Sequence, residues 1–346
     1  MFKIIKCCPL CGSTKKTKLI TNSKNVYSYF LSKIMNLKED FILKNLQNYK
    51  CKKCELIYKK KWIHQKFIKK IYKDFQPTHP GGLNTLKKNF GKKKFIELIK
   101  KYKYFFIKKN NEFSDKSKRE IIKILNNSNN KKINFVKLKK RFIQNLANND
   151  LKYIEKNYLT LSDLLDKPKL YSQFSGFRSN EISKYLKKNI NLKNINSYAE
   201  IGCPLWGNYD FFNKPWIKKY FINIDEQNFW KADKKKSDNC LKYLSKNVEV
   251  LKNINKKQID FISIYNFLDH IEDPLRLFNK DLKNIKYFGI ICEDINLSKK
   301  IDCQHFSSWN HKSILYLAKK IGYNLNYKPL RLSNTIYKLY ILEKDN

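Results

Sequence analysis

A chain of 346 residues is too long for one small domain and fits two or three, each able to bury its own core. Its formal net charge of +43 would ordinarily indicate a polyanionic partner. The excess is almost all lysine, with Arg119, Arg141, Arg178, Arg276 and Arg331 the only arginines. Lysine keeps company with Asn, Ile, Tyr and Phe throughout, the mixture expected of an AT-rich genome, so the charge is set aside as evidence for nucleic-acid binding.

The opening stretch "MFKIIKCCPLCG" has no apolar core long enough for a signal peptide, and runs such as "FISIYNFL" are far short of a membrane span. The chain is therefore expected to be cytosolic, where nine cysteines are thiols or metal ligands rather than disulfides. Residues 1 to about 60 hold two CxxC pairs, Cys8 and Cys11 in "CCPLCG" and Cys51 and Cys54 in "YKCKKCELIY". Each pair can place two thiolates on one ion, and two pairs complete a tetrahedral zinc site. Pro9 and Gly12 favour the first tight knuckle, whereas the second has Glu55 where glycine is common and is expected to be the weaker half. Four free or buried thiols remain the other reading, and Cys7 is adjacent to Cys8. Cys203, Cys240, Cys292 and Cys303 lack such spacing and read as ordinary buried residues.

From about 61 to 170 the chain is lysine-rich and expected to be mostly helical, with a break at "PTHPGG", residues 77 to 82. Phe95, Leu98, Ile99, Tyr102, Phe105 and Phe106 recur at helical spacing, and "REIIKIL" and "FVKLKKRFIQNL" repeat the pattern, as amphipathic helices packing on a neighbouring domain would.

From about 171 to 346, "SYAEIG", "YFINID", "VEVL", "QIDFISIY", "YFGIICEDI", "NLNYKPL" and "TIYKLYILEK" read as strands, with helices such as "NEISKYLKKN" between several of them. The alternation predicts an α/β fold, a Rossmann-like, mostly parallel sheet of seven strands covered on both faces. The last two strands leave no room for a crossover and are expected as an antiparallel hairpin at one edge.

"YAEIGCPLWG" carries Glu200 and Gly202 at the end of an apolar strand, and Asp225 ends the next, where an acid can accept hydrogen bonds from ribose hydroxyls. Asp260 then opens a strand leading to "LDHIEDP", in which Asp273 and Pro274 read as a helix N-cap and first helical residue. In these features residues 171 to 346 resemble the class I S-adenosylmethionine-dependent methyltransferases. The cysteine pairs and "HFSSWNHKSILYLAKKIGY" are similar to the branch that includes C- and O-methyltransferases of nucleotide-linked sugars. The sequence departs from the family at Pro204 and Trp206, which stand where later glycines of the loop are usual, with Gly207 one residue late.

The resemblance implies S-adenosylmethionine as cofactor. Glu200, Gly202 and Cys203 would shape its methionine and ribose site, Asp225 would hold the ribose, and Asn266 and Phe267 would line the adenosyl side. It implies a small-molecule acceptor, a sugar, whose proton would pass to His270 or His305. His270 has the alternative of merely bonding its own loop. A nucleic-acid methyltransferase and a catalytically silent scaffold that binds another protein are the rival readings, the second favoured by the glycine-poor loop. Oligomeric state has no signature here.

Overall fold

The computed structural model describes residues 2–19, 26–70, 82–103, 106, 115–126, 181–202, 211–212, 214–222, 248–251, 258–265, 267–282, 284–294, 305–332 and 337–345. In chain order these form β1 (Phe2–Ile4), β2 (Lys16–Leu19), α1 (Val26–Met35), α2 (Glu39–Asn45), β3 (Asn48–Cys51), β4 (Ile57–Lys59), β5 (Lys61–Ile63), α3 (Gln65–Lys70), α4 (Gly82–Lys101), α5 (Asp115–Asn126) and α6 (181–189). They continue with β6 (Ser197–Gly202), β7 (Lys218–Ile222), β8 (Val248–Leu251), β9 (Phe261–Tyr265), α7 (Pro274–Arg276), β10 (Tyr287–Glu293), β11 (Ser307–Ser308), α8 (His311–Ile321), β12 (Tyr323–Asn324), β13 (Leu330–Arg331) and β14 (Tyr337–Lys344).

The chain divides into two compact units, one of Met1–Gln65, Arg178–Asn228 and Ser245–Asn346, the other of Lys66–Phe177 and Phe229–Leu244. In the second unit α4, interrupted at Gly91, packs against α5. Phe95, Leu98, Ile99, Tyr102 and Phe106 are buried there with Ile121 and Leu125, the stripe expected from their helical spacing. Phe105, "FVKLKKRFIQNL" and all of "PTHPGG" but its last glycine lie outside the described residues.

The first unit is an α/β fold built on a mixed sheet of eight strands, in the order β12-β14-β10-β9-β6-β7-β8 with β13 also on β14. β8, β7, β6, β9 and β10 run parallel. They are the continuous apolar runs of the sequence, because strands covered on both faces have no solvent side to keep polar. One face carries Ala199, Ile201, Ile262, Ile264, Phe288 and Ile290, the other Tyr198, Phe261, Tyr265, Tyr287 and Ile291. Gly289 pairs with Ser263 across β10 and β9, and a Cβ there would meet the Phe261 ring at 3.0 Å, so any larger residue would need that buried ring to give way.

Two expectations are corrected. The sheet has eight strands rather than seven, and "NLNYKPL" is not one strand but β12 and β13 on either side of an irregular stretch. Between them residues 325 to 329 stand opposite only residues 340 to 342 of β14, so the ladder cannot stay in register, and Pro329 has no amide hydrogen to donate to it. The last strands do form an antiparallel pair at one edge: β12 and β13 pair with β14, and β14 joins the sheet by pairing with β10 along seven residues, Tyr287 to Glu293.

The cysteine region is built into the same unit. Its sheet runs β11-β4-β3-β2, so that a strand from the C-terminal part of the chain completes it. Cys8, Leu10, Cys51, Cys54, Leu56 and Tyr58 share one apolar cluster with Ile201, Ile264, Trp309 and Leu317. β1 and β5 pair separately.

Candidate active site and metal centre

The strand order reverses at β6. The chain proceeds from β6 to β7 on one side, and β9 lies on the other. In open α/β sheets the crevice beyond the carboxyl ends of the strands at such a point is where ligands bind. Gly202, paired with Tyr265, stands at that end of β6. The strands are held in register from below by Asp260, whose Oδ2 accepts from the main-chain N–H of Asn196 (2.7 Å) and Ser197 (3.0 Å).

Beyond β9 the chain passes through Phe267, which is buried, into a short 3-10 turn, Leu268–His270. Asp273 then caps α7 by accepting from Arg276 N–H at 3.0 Å, with Pro274 at the first helical position, as its sequence indicates. The segment after β10 brings His305 to the same place. His305 Nε2 lies 3.3 Å from Asp269 Oδ2, and His270 Nε2 lies 3.8 Å from Asp269 Oδ1. The two imidazoles meet edge to face with centroids 4.9 Å apart. Asp269 is 7% exposed, and its Oδ1 has no hydrogen bond. Such a carboxylate can fix which nitrogen of a neutral imidazole carries the hydrogen.

Of the cofactor residues expected from sequence, Glu200 is 1% exposed in β6 and accepts a hydrogen bond from Tyr198 Oη, which is also 2.9 Å from Ser263 Oγ. Gly202 and Phe267 are at the crevice ends of β6 and β9. Cys203, Asp225 and Asn266, with Pro204 and Trp206, lie outside the described residues. Asp269 was not singled out by sequence, although its place directly before His270 in "LDHIEDP" was the available signal.

The four cysteines converge. One sulfur atom from each of Cys8, Cys11, Cys51 and Cys54 lies within 4.8 Å of the others. Cys8 and Cys54 are 3.5 Å apart, and Cys11 and Cys51 are 3.4 Å apart. A tetrahedron of zinc–sulfur bonds near 2.3 Å has edges of about 3.8 Å, so the donor set fits that ion with little adjustment. Cys7 is not in the cluster. Without an ion, thiols this close compete for protons. Cys8 is drawn down to about 6 chiefly by the hydrogen bond from Cys54, Cys11 is pushed up to about 11 chiefly by burial, and Cys54 is pushed up by its bond to Cys8.

The knuckles share one backbone pattern. Gly12 N–H donates to Cys8 O (2.9 Å) and Cys8 N–H to Ser13 O (2.9 Å); Glu55 N–H donates to Cys51 O (3.1 Å) and Cys51 N–H to Leu56 O (2.9 Å). Glu55 is in the left-handed region at φ 60°, as Gly12 is at φ 70°. Its carboxylate receives Lys50 at 2.9 Å and Lys312 at 3.0 Å. Cys292 is buried, as its sequence context suggests, and burial first and Asp269 second push its thiol up. Cys240 and Cys303 lie outside the described residues. No described helix is long and apolar enough to cross a membrane.

No protein-family model matches the sequence, and no curated protein matches it. Solved structures do. A SAM dependent methyltransferase from Aquifex aeolicus is 18% identical over 46% of this chain and 89% of that one, with a TM-score of 0.36. An S-adenosylmethionine-dependent methyltransferase from Clostridium acetobutylicum is 13% identical over 49% and 92%, with a TM-score of 0.36. An O-methyltransferase family protein from Burkholderia thailandensis is 10% identical over 53% and 62%, with a TM-score of 0.37. At these values the likeness identifies neither an activity nor a substrate for this chain.

Proposed function

We propose that this chain is an S-adenosylmethionine-dependent methyltransferase acting on a small metabolite, a sugar by its sequence resemblance, with a structural zinc on Cys8, Cys11, Cys51 and Cys54. The observation that carries the reading is the reversal of strand order at β6, with Gly202 at the carboxyl end of that strand and the Asp269–His270–His305 cluster following β9. A cofactor loop on one strand and proton-accepting groups beyond its neighbour are what methyl transfer to a weakly acidic acceptor needs.

S-adenosylmethionine supplies a methyl group already activated by its sulfonium. The chain's own residues bind, align and deprotonate. Gly202 lets the main chain approach the cofactor, Glu200 and Cys203 shape the methionine side with it, Asp225 holds the ribose, and Asn266 and Phe267 line the adenosyl side. His270 or His305 takes the acceptor's proton, with Asp269 stabilising the resulting imidazolium. In this reading residues 1–60 are the zinc-binding part, 61–170 a helical segment and 171–346 the methyltransferase part.

Calorimetry with S-adenosylmethionine tests it. Binding to the wild type, weakened about thirtyfold by Asp225→Ala through loss of roughly 2 kcal/mol of charge-assisted ribose contact, is expected. His270→Ala or His305→Ala, whichever removes the base, should lower turnover by about a hundredfold with cofactor affinity unchanged. No binding at millimolar cofactor, restored by Trp206→Gly, would show the loop to be inactive and end the reading.

A further inference from the structure

The cysteine module and the histidine cluster are joined by specific bonds rather than by general packing. β3, which ends in Cys51, pairs with β4, and β4 pairs with β11. Just before β11, Lys59 N–H donates to Phe306 O at 3.1 Å, while Phe306 N–H donates to Asp269 O at 2.8 Å. Ser307 Oγ donates to Leu268 O at 3.4 Å. The Phe306 ring packs edge-on against Trp62, with centroids 5.4 Å apart, and both residues are fully buried. Phe306 therefore connects the module to the turn that carries Asp269, and it is the residue directly after His305.

A second attachment lies on the far side of β11. Asn310 caps α8 through a reciprocal bond with Ser313 (2.9 and 2.8 Å), and its Nδ2 lies within 3.4 Å of Glu55 Oε2. Lys312 reaches the same carboxylate. Glu55 follows Cys54 directly, so the segment from Phe306 to Lys312 is fixed at both ends by residues of the knuckle sheet.

We propose that the metal-held cysteine module positions the proton-accepting centre: β4 and Trp62 hold Phe306, and Phe306 holds His305 against Asp269. Asp269 Oδ2 then accepts the Nε2–H of His305 and leaves Nδ1 as its basic nitrogen. Phe306 and Trp62 are positioning residues in this account. His305 is the group they serve, and that role rests on the function proposed above.

The test uses the full chain, loaded with zinc and labelled with 15N in its five histidines. His305 is assigned by the signal lost in His305→Gln, and spectra are recorded at about pH 8, where unperturbed imidazoles are neutral. In the loaded protein His305 should be a single Nε2–H tautomer. Stripping the metal with a chelator should give averaged tautomers at His305 and at least a tenfold fall in kcat, with KM little changed.

Should stripping unfold the unit, as loss of near-ultraviolet circular dichroism would show, Trp62→Leu in loaded protein carries the test. It should average the tautomers with zinc content unchanged. A single tautomer that persists in folded metal-free protein or in Trp62→Leu would overturn the proposal, as would averaged tautomers in loaded wild type. The spectra need neither cofactor nor acceptor. A response to metal in a protein that binds no S-adenosylmethionine would leave the positioning intact and remove the methyltransferase reading, and the converse pair of results would do the opposite.

Discussion

The two cysteine knuckles have the same main-chain hydrogen bonds and the same left-handed residue behind the second sulfur, yet one uses glycine there and the other glutamate. A side chain in that conformation costs roughly 1 kcal/mol. The first knuckle avoids the cost with Gly12, around which a Cβ would find nothing within 4 Å. The second accepts it at Glu55 and recovers it by binding Lys50, Lys312 and Asn310. The difference follows from where each knuckle lies. The second sits against the N-terminus of α8 and has partners for a carboxylate; Gly12 makes no corresponding side-chain attachment because it has no side chain. A departure from the usual residue thus marks the point where the cysteine region is fastened to the sheet domain.

The largest way to break the comparison is to remove a sulfur. Cys8→Ser and Cys51→Ser should each abolish zinc retention, since three thiolates leave the tetrahedron open, and zinc contributes on the order of 10 kcal/mol to folding in isolated zinc peptides. Elemental analysis and thermal unfolding check this. The knuckles should differ in reach: Cys51→Ser is expected to raise amide exchange in β4 and β11, whereas Cys8→Ser should leave β11 the better protected of the two. One zinc-free, fully stable wild-type preparation would show that the cluster is four thiols and no more.

How much of this could be read from residues alone differs between the two regions. The parallel strands were legible because burial on both faces writes continuous apolar runs such as "FISIY", and the convergence of the four cysteines was legible because two CxxC spacings have few other uses. The antiparallel edge pair was legible too, because the last two strands leave no room for a crossover, but nothing in "YILEK" says that β10 is the strand through which it joins the sheet. The Asp269–His270–His305 cluster was half legible. Each histidine follows a strand, but their meeting depends on β9 and β10 lying side by side in register, and Asp269 gains meaning only when His305 arrives at 3.3 Å. The pairing of β4 with β11 left no trace, because strands of three and two residues separated by most of the chain have no periodicity to detect.

Smaller changes sharpen the comparison. Gly12→Ala should destabilise the loaded protein by about 1 kcal/mol through backbone strain alone, or weaken zinc roughly fivefold in a competition with a chelator. Glu55→Gly should relieve the same strain while losing the ion pairs, for a net change near zero. Glu55→Ala keeps the strain and loses the pairs, and is expected to cost about 1 kcal/mol. If Glu55→Gly were strongly stabilising instead, the lysine contacts would contribute nothing and the fastening role would fall to β11 alone.

The smallest effect separates the charge of Glu55 from its shape. Lys50 first and Lys312 second hold its carboxyl below the usual range. A depressed folded-state value means stability present above the unfolded pKa, about 4.3, and lost as pH falls through the lower folded value. Glu55→Gln keeps the size and the left-handed backbone but loses the charge, and with 30% of the side chain exposed it should cost only a few tenths of a kcal/mol at neutral pH. The cysteine thiolates are protonated and release their metal well before Glu55 titrates, so the difference between wild type and Glu55→Gln should stay flat across the whole pH range in which zinc is bound. Ionic strength is the better lever: at about 1 M salt the Debye length falls to roughly 3 Å, comparable with the ion-pair distances, and the difference should shrink by half or more. Denaturant midpoints of the two loaded proteins in low and high salt measure it, and a difference indifferent to salt would mean that Glu55 holds α8 through its hydrogen bonds with Asn310 rather than through charge.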